Sequence, residues 1–369
     1  MNALVQLPLQ EQFQQESAPS LVYLALSGVR QAHPHLGLQH WSRLLATSEG
    51  ELQASRLGQE NIHALEDVFS LLYQLSSLEE VEVTSFNDGG QVSYLGSFSA
   101  PELCLQDPSQ LGLKFTSGSQ EISFFLEDWY WGCALEEEDA QGEQQWSLQF
   151  FDREGKRFLK IAAVAGTALN AWMTLVETFS RSQQQLVRPL FATRTETRTQ
   201  ASTLNPDSFC QAWRQLGSPS QVNQLLNQQG INYRQAVELL EPRLARSVSI
   251  DSLESLLAAQ QQLGGCGCKS RGLRLDFYTP GSVQGCRGYL RATRLERQEW
   301  QLAYCGGRID LNPAQLGEAF LVRTPKGQGW MTSLDIFSDT GQLVLQVRED
   351  SDPEAAENLL VRNLFTRLQ

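Results

Sequence analysis

Two stretches of the chain resemble each other closely: "SLQFFDREG" at residues 147–155 and "SLDIFSDTG" at residues 333–341. They lie 186 residues apart, which is close to half of the 369-residue chain. In each stretch, alternating apolar residues lead into a polar turn that ends in a glycine, Gly155 or Gly341, and a second apolar run follows. This pattern predicts a β-hairpin in which the glycine adopts a positive φ. Because the hairpin occurs twice, the sequence indicates a duplicated domain.

The surroundings of the two hairpins are repeated as well. Leucines spaced by three and four residues at 44–75 and 225–263 are typical of amphipathic helices. Short runs of aromatic and branched residues, separated by Gly, Asp and Asn, then predict strands. Each half is predicted to end in a helix, at about 166–180 and at 353–369. The pattern therefore predicts two copies of one α+β domain.

The boundary between the two copies is predicted in a polar segment at 181–206. This segment is rich in Thr and Gln and lacks the helical spacing of apolar residues, as linkers do. We therefore predict a first repeat at 1–180, a linker at 181–206 and a second repeat at 207–369. A chain of 369 residues has ample length for two domains.

Composition restricts the class of protein further. Hydrophobic residues make up 41% and charged residues 19%, which is typical of a chain that forms a core. The net charge of −13 repels phosphate backbones, so we do not expect nucleic acid as a partner. Seven scattered cysteines, an odd number, do not form a disulfide framework, and we expect a reducing compartment, the cytoplasm. The apolar stretch 161–179 carries Asn170 and Glu177, so we expect a strand end and a helix there and no membrane insertion.

The order of these pieces resembles a known family, the tandem-repeat hemin-degrading and haem-transport proteins of the bacterial cytoplasm (HemS/ChuX-like). The resemblance rests on four stretches and their order: "EDWYWGCALEEE" and "WSLQFFDREGKRFLKI" in the first half, and "QGCRGYLR" and "GEAFLVRTPKGQGWMTSLDIFSDTGQLVLQV" in the second. It extends over roughly residues 35–365. It implies an α+β fold of two similar repeats, each a large antiparallel β-sheet with packed α-helices. It also implies haem as the ligand, in a cleft beside the helices of the second half.

The residues that bind haem in this family do not carry over unchanged. The position of the family's axial histidine, seven residues after Trp213 and five before Leu225, falls on Ser220. A serine hydroxyl is a poor iron ligand beside an imidazole. Two cationic side chains that face the haem propionates in the family are also replaced. An arginine of the first-half strand falls on Ser123, and the lysine of an Arg-Lys-Pro motif falls on Thr324, which leaves Arg323 alone.

These replacements leave three hypotheses open. The first is a haem-binding protein with altered or lost iron ligation, in which another side chain replaces the histidine; the candidates are Cys286, Cys305, Tyr289 and His63. The second is a non-enzymatic chaperone or assembly factor that binds another tetrapyrrole or a protein partner in the same cleft. The third, which we rank last, is an enzyme that breaks haem down. We assign no catalytic residue, and the sequence identifies no metal ligand.

Overall fold

The computed structural model of the chain describes residues 19–107, 110–118, 120–138, 144–180, 189–192, 204–264, 273–288, 291–296, 299–304, 306–350 and 357–368. The helices of this part of the chain are α1 (Leu21–Ala32), α2 (Leu38–Leu45), α3 (Glu49–Ser55), α4 (Val68–Tyr73), α5 (Leu169–Phe179), α6 (Pro206–Arg214), α7 (Val222–Gln229), α8 (Tyr233–Leu239), α9 (Ser252–Gly264) and α10 (Leu359–Thr366).

The strands of the first half are β1 (Ile62–Ala64), β2 (Glu79–Asn87), β3 (Gly90–Ser97), β4 (Glu102–Asp107), β5 (Gln110–Ser117), β6 (Gln120–Phe125), β7 (Trp131–Glu138), β8 (Gln144–Phe151) and β9 (Arg157–Thr167). Those of the second half are β10 (Ala245–Val248), β11 (Leu273–Tyr278), β12 (Ser282–Gly288), β13 (Arg291–Glu296), β14 (Glu299–Tyr304), β15 (Gly307–Leu311), β16 (Leu316–Lys326), β17 (Gly329–Ser338) and β18 (Leu343–Glu349).

The described strands form two nine-stranded antiparallel sheets, which confirms the predicted α+β class. Their orders are β1-β7-β8-β9-β2-β3-β15-β14-β13 and β10-β16-β17-β18-β11-β12-β6-β5-β4. Six strands of each sheet come from one half of the chain and three from the other. The strands β13–β15 extend the first-half sheet through the β3–β15 pair, and β4–β6 extend the second-half sheet through the β12–β6 pair. The two sheets are therefore interlocked by an exchange of three strands.

The repeated stretches form the two predicted hairpins, β8–β9 and β17–β18. Their turn glycines have a φ of 76° at Gly155 and 81° at Gly341. In the first turn, Asp152 accepts hydrogen bonds from the backbone amides of Glu154 and Lys156 with its Oδ1, each at 2.9 Å. The prediction of a hairpin with a left-handed glycine is confirmed in both copies.

The two leucine-rich blocks are more divided than the spacing predicted. The first block contains α3, β1 and α4, and the second contains α7, α8, β10 and α9. Gly58 and Gly230, with φ of 73° and 65°, change the direction of the chain after α3 and α7. The segment 161–179 forms the end of β9 and then α5, as expected. Within the described residues, no helix has the length and apolar content needed to cross a membrane.

Helices α6, α7 and α8 pack together on the edge of the second-half sheet. Their buried side chains, which include Trp213 of α6 and Leu225 of α7, contact Val322 of β16 and Phe337 of β17. The indole Nε1 of Trp213 also donates to the backbone oxygen of Arg323 at 2.9 Å. Burial of these apolar side chains fixes the helices over the sheet. A polar part of the same sheet face remains beside them.

Candidate functional site

A cleft of 510 Å³ lies between α7, α8 and the second-half sheet, a volume that suits a small organic ligand. We call it the second-half cleft. It is lined by Ser218, Pro219, Ser220, Val222, Asn223, Tyr233, Tyr278, Thr324, Lys326, Met331, Leu343, Gln346 and Arg348.

Two of the positions taken from the family pattern, Ser220 and Thr324, line this cleft together. Ser220 lies in the short 3₁₀ turn before α7, where the Oγ atoms of Ser218 and Ser220 are 3.0 Å apart. Thr324 lies on β16 opposite Met331 of β17. The family pattern placed both positions at one ligand site although they are far apart in sequence, and the fold brings them together.

The other two positions from the family pattern lie outside the lining. Ser123 is on β6, and its partner in register is Val283, which also pairs with Tyr278. Since cross-strand partners project from the same face, Ser123 is on the cleft side of the sheet, two strands away from Tyr278. Arg323 precedes Thr324 on β16 and therefore faces the other way, with its guanidinium 5.0 Å from the ring centroid of Trp330. Burial and the charge of Arg362 lower the pKa of Arg323.

Of the four proposed replacement ligands, the structure describes two, Cys286 and His63, and neither of them lines the cleft. Cys286 pairs with Leu275 and is buried in the hydrophobic core, where burial raises the pKa of its thiol to about 12. His63 is on β1 of the first-half sheet, with its Nε2 3.0 Å from the side-chain oxygen of Asn61. Tyr289 and Cys305 lie outside the described residues. The structure therefore separates Cys286 from Ser220 and Thr324, because alternate residues of β12 face opposite sides of the sheet.

The structure adds a buried carboxylate that the sequence did not single out. Asp335 of β17 is 0% exposed and lies beneath the cleft. It accepts a hydrogen bond from the hydroxyl of Tyr233 at 2.6 Å and another from Nε2 of Gln346 at 3.0 Å. Burial raises the pKa of Asp335 to about 6, although the hydroxyls of Tyr233 and Ser333 and the amide of Gln346 lower it. Tyr278 extends the group, since its hydroxyl donates to Oε1 of Gln346 at 3.4 Å.

Local sequence explains how these groups are held. Asn232 caps α8 and forms a capping box with Gln235, which fixes Tyr233 as the first helical residue. Asp335 is the third residue of the repeated stretch, at the position where the first repeat has Gln149. A comparison of the two repeats would have singled out this difference between an amide and an acid.

Cationic side chains line another part of the cleft. Arg348 binds Asp276 of β11 through Nε at 3.1 Å and Nη2 at 3.0 Å, and Lys326 lies at the end of β16. Asp276 also binds Arg274, which in turn pairs with Glu121 of β6 at 3.0 Å. The network therefore joins a first-half strand to the wall of the cleft.

The corresponding region of the first half is filled by its own side chains. Glu137 has the register position of Thr324, and it pairs with Arg56 at 2.7 Å. Arg56 is 3% exposed and also donates to Gln53, while Gln53 donates to Gln149 at 3.2 Å. In the first half, the position equivalent to Thr324 is therefore engaged in an ion pair, whereas in the second half it lines an open cleft.

A haem-type ligand fits this cleft in part. The apolar wall of the cleft (Val222, Met331, Leu343) suits a flat macrocycle, and the cationic side chains of the cleft suit the carboxylates of such a ligand. An imidazole for iron is absent from the described lining, and no group of three or more His, Cys, Asp or Glu in the described residues could hold a metal ion. The described lining therefore suits the macrocycle and the carboxylates of a haem-type ligand better than it suits the iron, for which it offers no imidazole.

The fold and the cleft define a class: duplicated α+β proteins with interlocked sheets and a cleft beside the helices of the second half. Residues 230–362 match the model of the haemin-degrading HemS.ChuX domain. Two curated proteins are 25% identical to the chain. They are the hemin transport protein HmuS of Yersinia pestis, over 87% of this chain and 90% of its own length, and the hemin transport protein HemS of Yersinia enterocolitica, over 85% and 88%.

Solved structures show the same fold over nearly the whole chain. The heme-binding protein PhuS of Pseudomonas aeruginosa superposes with a TM-score of 0.83 at 23% identity, over 95% of this chain and 99% of its own. The heme-degrading enzyme ChuS of Escherichia coli O157:H7 does so with a TM-score of 0.81 at 21% identity, over 94% and 98%. The chain therefore has the duplicated HemS-like fold and resembles the hemin transport proteins in sequence. Ser220 lies outside the residues that the family model matches.

Proposed function

We propose that this chain binds a haem-type tetrapyrrole in the second-half cleft, with iron ligation that is altered or lost. The observation that carries the proposal is the meeting of Ser220 and Thr324 in one cleft. Both positions were located from the family pattern in sequence segments that are far apart. Agreement between that pattern and the geometry supports a retained ligand site.

The side chains of the cleft suit the parts of such a ligand. Val222 and Leu343 offer apolar contact to the macrocycle, and Lys326 and Arg348 offer positive charge to its carboxylates. The relatives named as hemin transport and heme-binding proteins support the same class of ligand. Ser123 and Thr324 stand where the family has cationic side chains, which removes two carboxylate contacts and leaves Lys326 and Arg348 as the cations of the lining.

The weakest part of the site is the iron ligand. Ser220 has a hydroxyl where an imidazole would bind iron strongly. Met331 has a thioether, a known axial ligand of haem, but its side chain is mostly buried beside Thr324. Iron in this cleft therefore has a weaker protein ligand than a histidine would provide.

A hemin titration of purified protein tests the proposal. We expect saturable binding by the wild-type chain with a small Soret shift. The variant Ser220→His should bind hemin roughly tenfold more tightly and give the spectrum of histidine-ligated iron, because an imidazole is added at the cleft. The control variant Gln228→His adds the same side chain at an exposed position of α7 outside the cleft and should behave as the wild type.

Two results would contradict the proposal. One is the absence of saturable binding of hemin, protoporphyrin IX and biliverdin by the wild-type chain. The other is binding that Gln228→His strengthens as much as Ser220→His does. A variant Met331→Leu completes the set, since loss of the wild-type Soret shift in this variant would identify the thioether as the ligand.

The alternative function is a non-enzymatic chaperone or assembly factor that holds another tetrapyrrole or a protein partner in the same cleft. The lack of an imidazole in the described lining favours it, because strong iron ligation is not needed for that role. Enzymatic breakdown of haem ranks last. Hemin incubated with the protein and a reductant should give no bilin or carbon monoxide above a protein-free control.

We also propose the cytoplasm as the compartment. The described cysteines Cys104, Cys133, Cys210 and Cys286 are all free thiols, as expected in a reducing environment. Fractionation of cells of the native source, followed by detection of the protein with an antibody, checks this assignment. Recovery in an extracytoplasmic fraction would contradict it.

A further inference from the structure

The first half has a pocket of its own, at the start of β7, with a volume of 440 Å³. We call it the first-half pocket, and its size suits a small organic ligand. Its lining includes three consecutive aromatic residues, Trp129, Tyr130 and Trp131, together with apolar side chains such as Leu65 and Leu126. We propose that the first-half pocket binds a small organic cation with a quaternary ammonium group, held by cation–π contact with the aromatic rings.

Hydrogen bonds to the backbone hold two of the three aromatic side chains in place. The indole Nε1 of Trp129 donates to the backbone oxygen of Gly281 at 2.8 Å. The hydroxyl of Tyr130 donates to the backbone oxygen of Leu190 at 2.8 Å, while 41% of Tyr130 stays exposed. The polar atoms of these rings are thus used inside the protein, and the rings lose little further freedom when a ligand binds.

Acidic residues adjoin the first-half pocket in two similar stretches, "LEDV" at 65–68 and "LEDW" at 126–129. In each stretch the first and the last residue line the pocket, and the two acidic residues between them are exposed. Partial burial and the like charge of Glu127 raise the pKa of Asp128, while the charge of Arg153 lowers it. The surroundings of the pocket are therefore negatively charged, which raises the local concentration of a cation.

The lining favours a quaternary ammonium group over other charged groups. The described lining contains no lysine, arginine or histidine, so it has no positive charge to bind an anion or repel a cation. A primary ammonium group would lose hydrogen bonds to water among apolar side chains, which is unfavourable. A quaternary ammonium group donates no hydrogen bonds, and its methyl groups can contact aromatic rings directly.

A pair of matched probes tests this inference. Choline has a quaternary ammonium group, and 3,3-dimethylbutan-1-ol has the same shape with a carbon atom in place of the charged nitrogen. We expect saturable binding of choline by the wild-type chain, roughly tenfold tighter than binding of the uncharged alcohol. The change in tryptophan fluorescence during titration measures both affinities.

Variants then separate the contributions of ring and charge. Tyr130→Leu removes one ring and should reduce the preference for choline to about threefold or less, whereas Tyr130→Phe keeps the ring and should keep the preference. Glu127→Gln should weaken choline binding roughly threefold and leave binding of the alcohol unchanged. The control Glu254→Gln removes the same charge at an exposed position of α9 and should bind both probes as the wild type does. Circular dichroism of each variant shows that it is folded.

Several outcomes would overturn the inference. They are the absence of saturable choline binding by the wild-type chain, equal affinity for the two probes, and a preference that survives unchanged in folded Tyr130→Leu and Glu127→Gln. A loss of preference as large in Tyr130→Phe as in Tyr130→Leu also contradicts it, because the ring would then not be responsible. If Tyr130→Leu does not fold, Glu127→Gln and the wild-type probe pair still decide. All these results leave the proposed ligand of the second-half cleft untouched.

Discussion

At the scale of single residues, an important difference between the two repeats is that the first has the neutral amide Gln149 where the second has the acid Asp335. These positions are equivalent in the repeated stretch, and both side chains are buried beneath the polar face of their sheet. In the first half, Gln149 is neutral and accepts from Gln53, which closes the region. In the second half, Asp335 introduces a charge that fixes the direction of the hydrogen bonds around it. The equivalent position thus belongs to an amide contact in the first half and to a buried, charged hydrogen-bond group beside the cleft in the second.

The buried carboxyl of Asp335 also predicts a pH dependence of stability. Its folded pKa of about 6 is above the usual value of 3.8, so the folded chain binds more protons between these limits. Its contribution to stability is therefore largest below about pH 4 and is lost as pH rises through 6, by roughly 3 kcal/mol. We expect the free energy of unfolding of the wild type, relative to Asp335→Asn, to fall between pH 4.5 and pH 7.5.

Urea unfolding of both proteins at several pH values measures this difference. The groups that face Asp335 are Tyr233 of α8, Ser333 of the same strand, and Gln346 and Arg348 of β18. Glu121 acts in the opposite direction. Burial would raise its pKa, but Arg274 and nearby Lys114 and Arg287 lower it to about 2, so its contribution is lost only in acid. A stability difference between wild type and variant that is constant from pH 4.5 to pH 7.5 would show that Asp335 does not titrate there.

At the scale of elements, the two hairpin turns are similar in backbone and different in surroundings. A Cβ on Gly155 would lie 2.3 Å from Oγ and 2.8 Å from Cβ of Ser48, the residue that caps α3. A Cβ on Gly341 would meet only Cγ of Arg234, at 3.6 Å. The backbone amide of Gly50 also donates a hydrogen bond to the backbone oxygen of Gly155 at 2.7 Å, so the first turn of α3 is attached to the hairpin turn.

This difference predicts unequal effects of one substitution. Gly341→Ala should destabilise by about 1–2 kcal/mol, the strain of a left-handed alanine. Gly155→Ala should lower the free energy of unfolding by more than this, because the added methyl group also displaces Ser48. The helix cap that Ser48 provides is itself worth about 1 kcal/mol. The midpoints of urea unfolding of the two variants measure the difference, and each turn serves as the control for the other. Equal midpoints would show that Ser48 relaxes freely.

The hairpins could be predicted because their signals are local. Alternation along β8 and β17 and the turn glycines Gly155 and Gly341 act within a few residues. The helices predicted over 44–75 include α3 and α4, but the sequence did not indicate β1 between them, because this strand forms by pairing with β7, which is far along the chain. The position of Ser220 followed from the family pattern. The group around Asp335 did not, because it depends on side chains from α8, β17 and β18 meeting in space.

At the scale of the whole molecule, the exchange of strands joins the halves more closely than a linker would. The β12–β6 and β3–β15 pairs each run over five residues, and Arg274 of the second half pairs with Glu121 of the first. Asn87 of β2 donates to the backbone oxygen of Val344 at 3.1 Å. Nothing in the sequence of one repeat indicates that β4–β6 leave it, because the same alternation suits either sheet.

The exchange predicts that neither half folds alone. A fragment of residues 207–369 retains six strands of the second-half sheet but loses β4–β6, which leaves the edge of β12 unpaired and prone to aggregation. We expect this fragment, and the fragment 1–206, to be aggregated or unfolded in size-exclusion chromatography and circular dichroism when each is made alone. When the two are made together they should form a one-to-one complex with the spectrum of the intact chain.

A chain with a protease site placed in the predicted linker at 181–206 is the matched control. After cleavage its two parts should stay together, because the interlocked sheets, and not the linker, hold them. Ligand binding gives a second measurement, since the cleft wall includes Arg348, whose partner Asp276 is tied to β6 through Arg274 and Glu121. If fragment 207–369 alone is a stable monomer that binds hemin or protoporphyrin IX as tightly as the intact chain, the exchanged strands contribute neither to folding nor to the cleft.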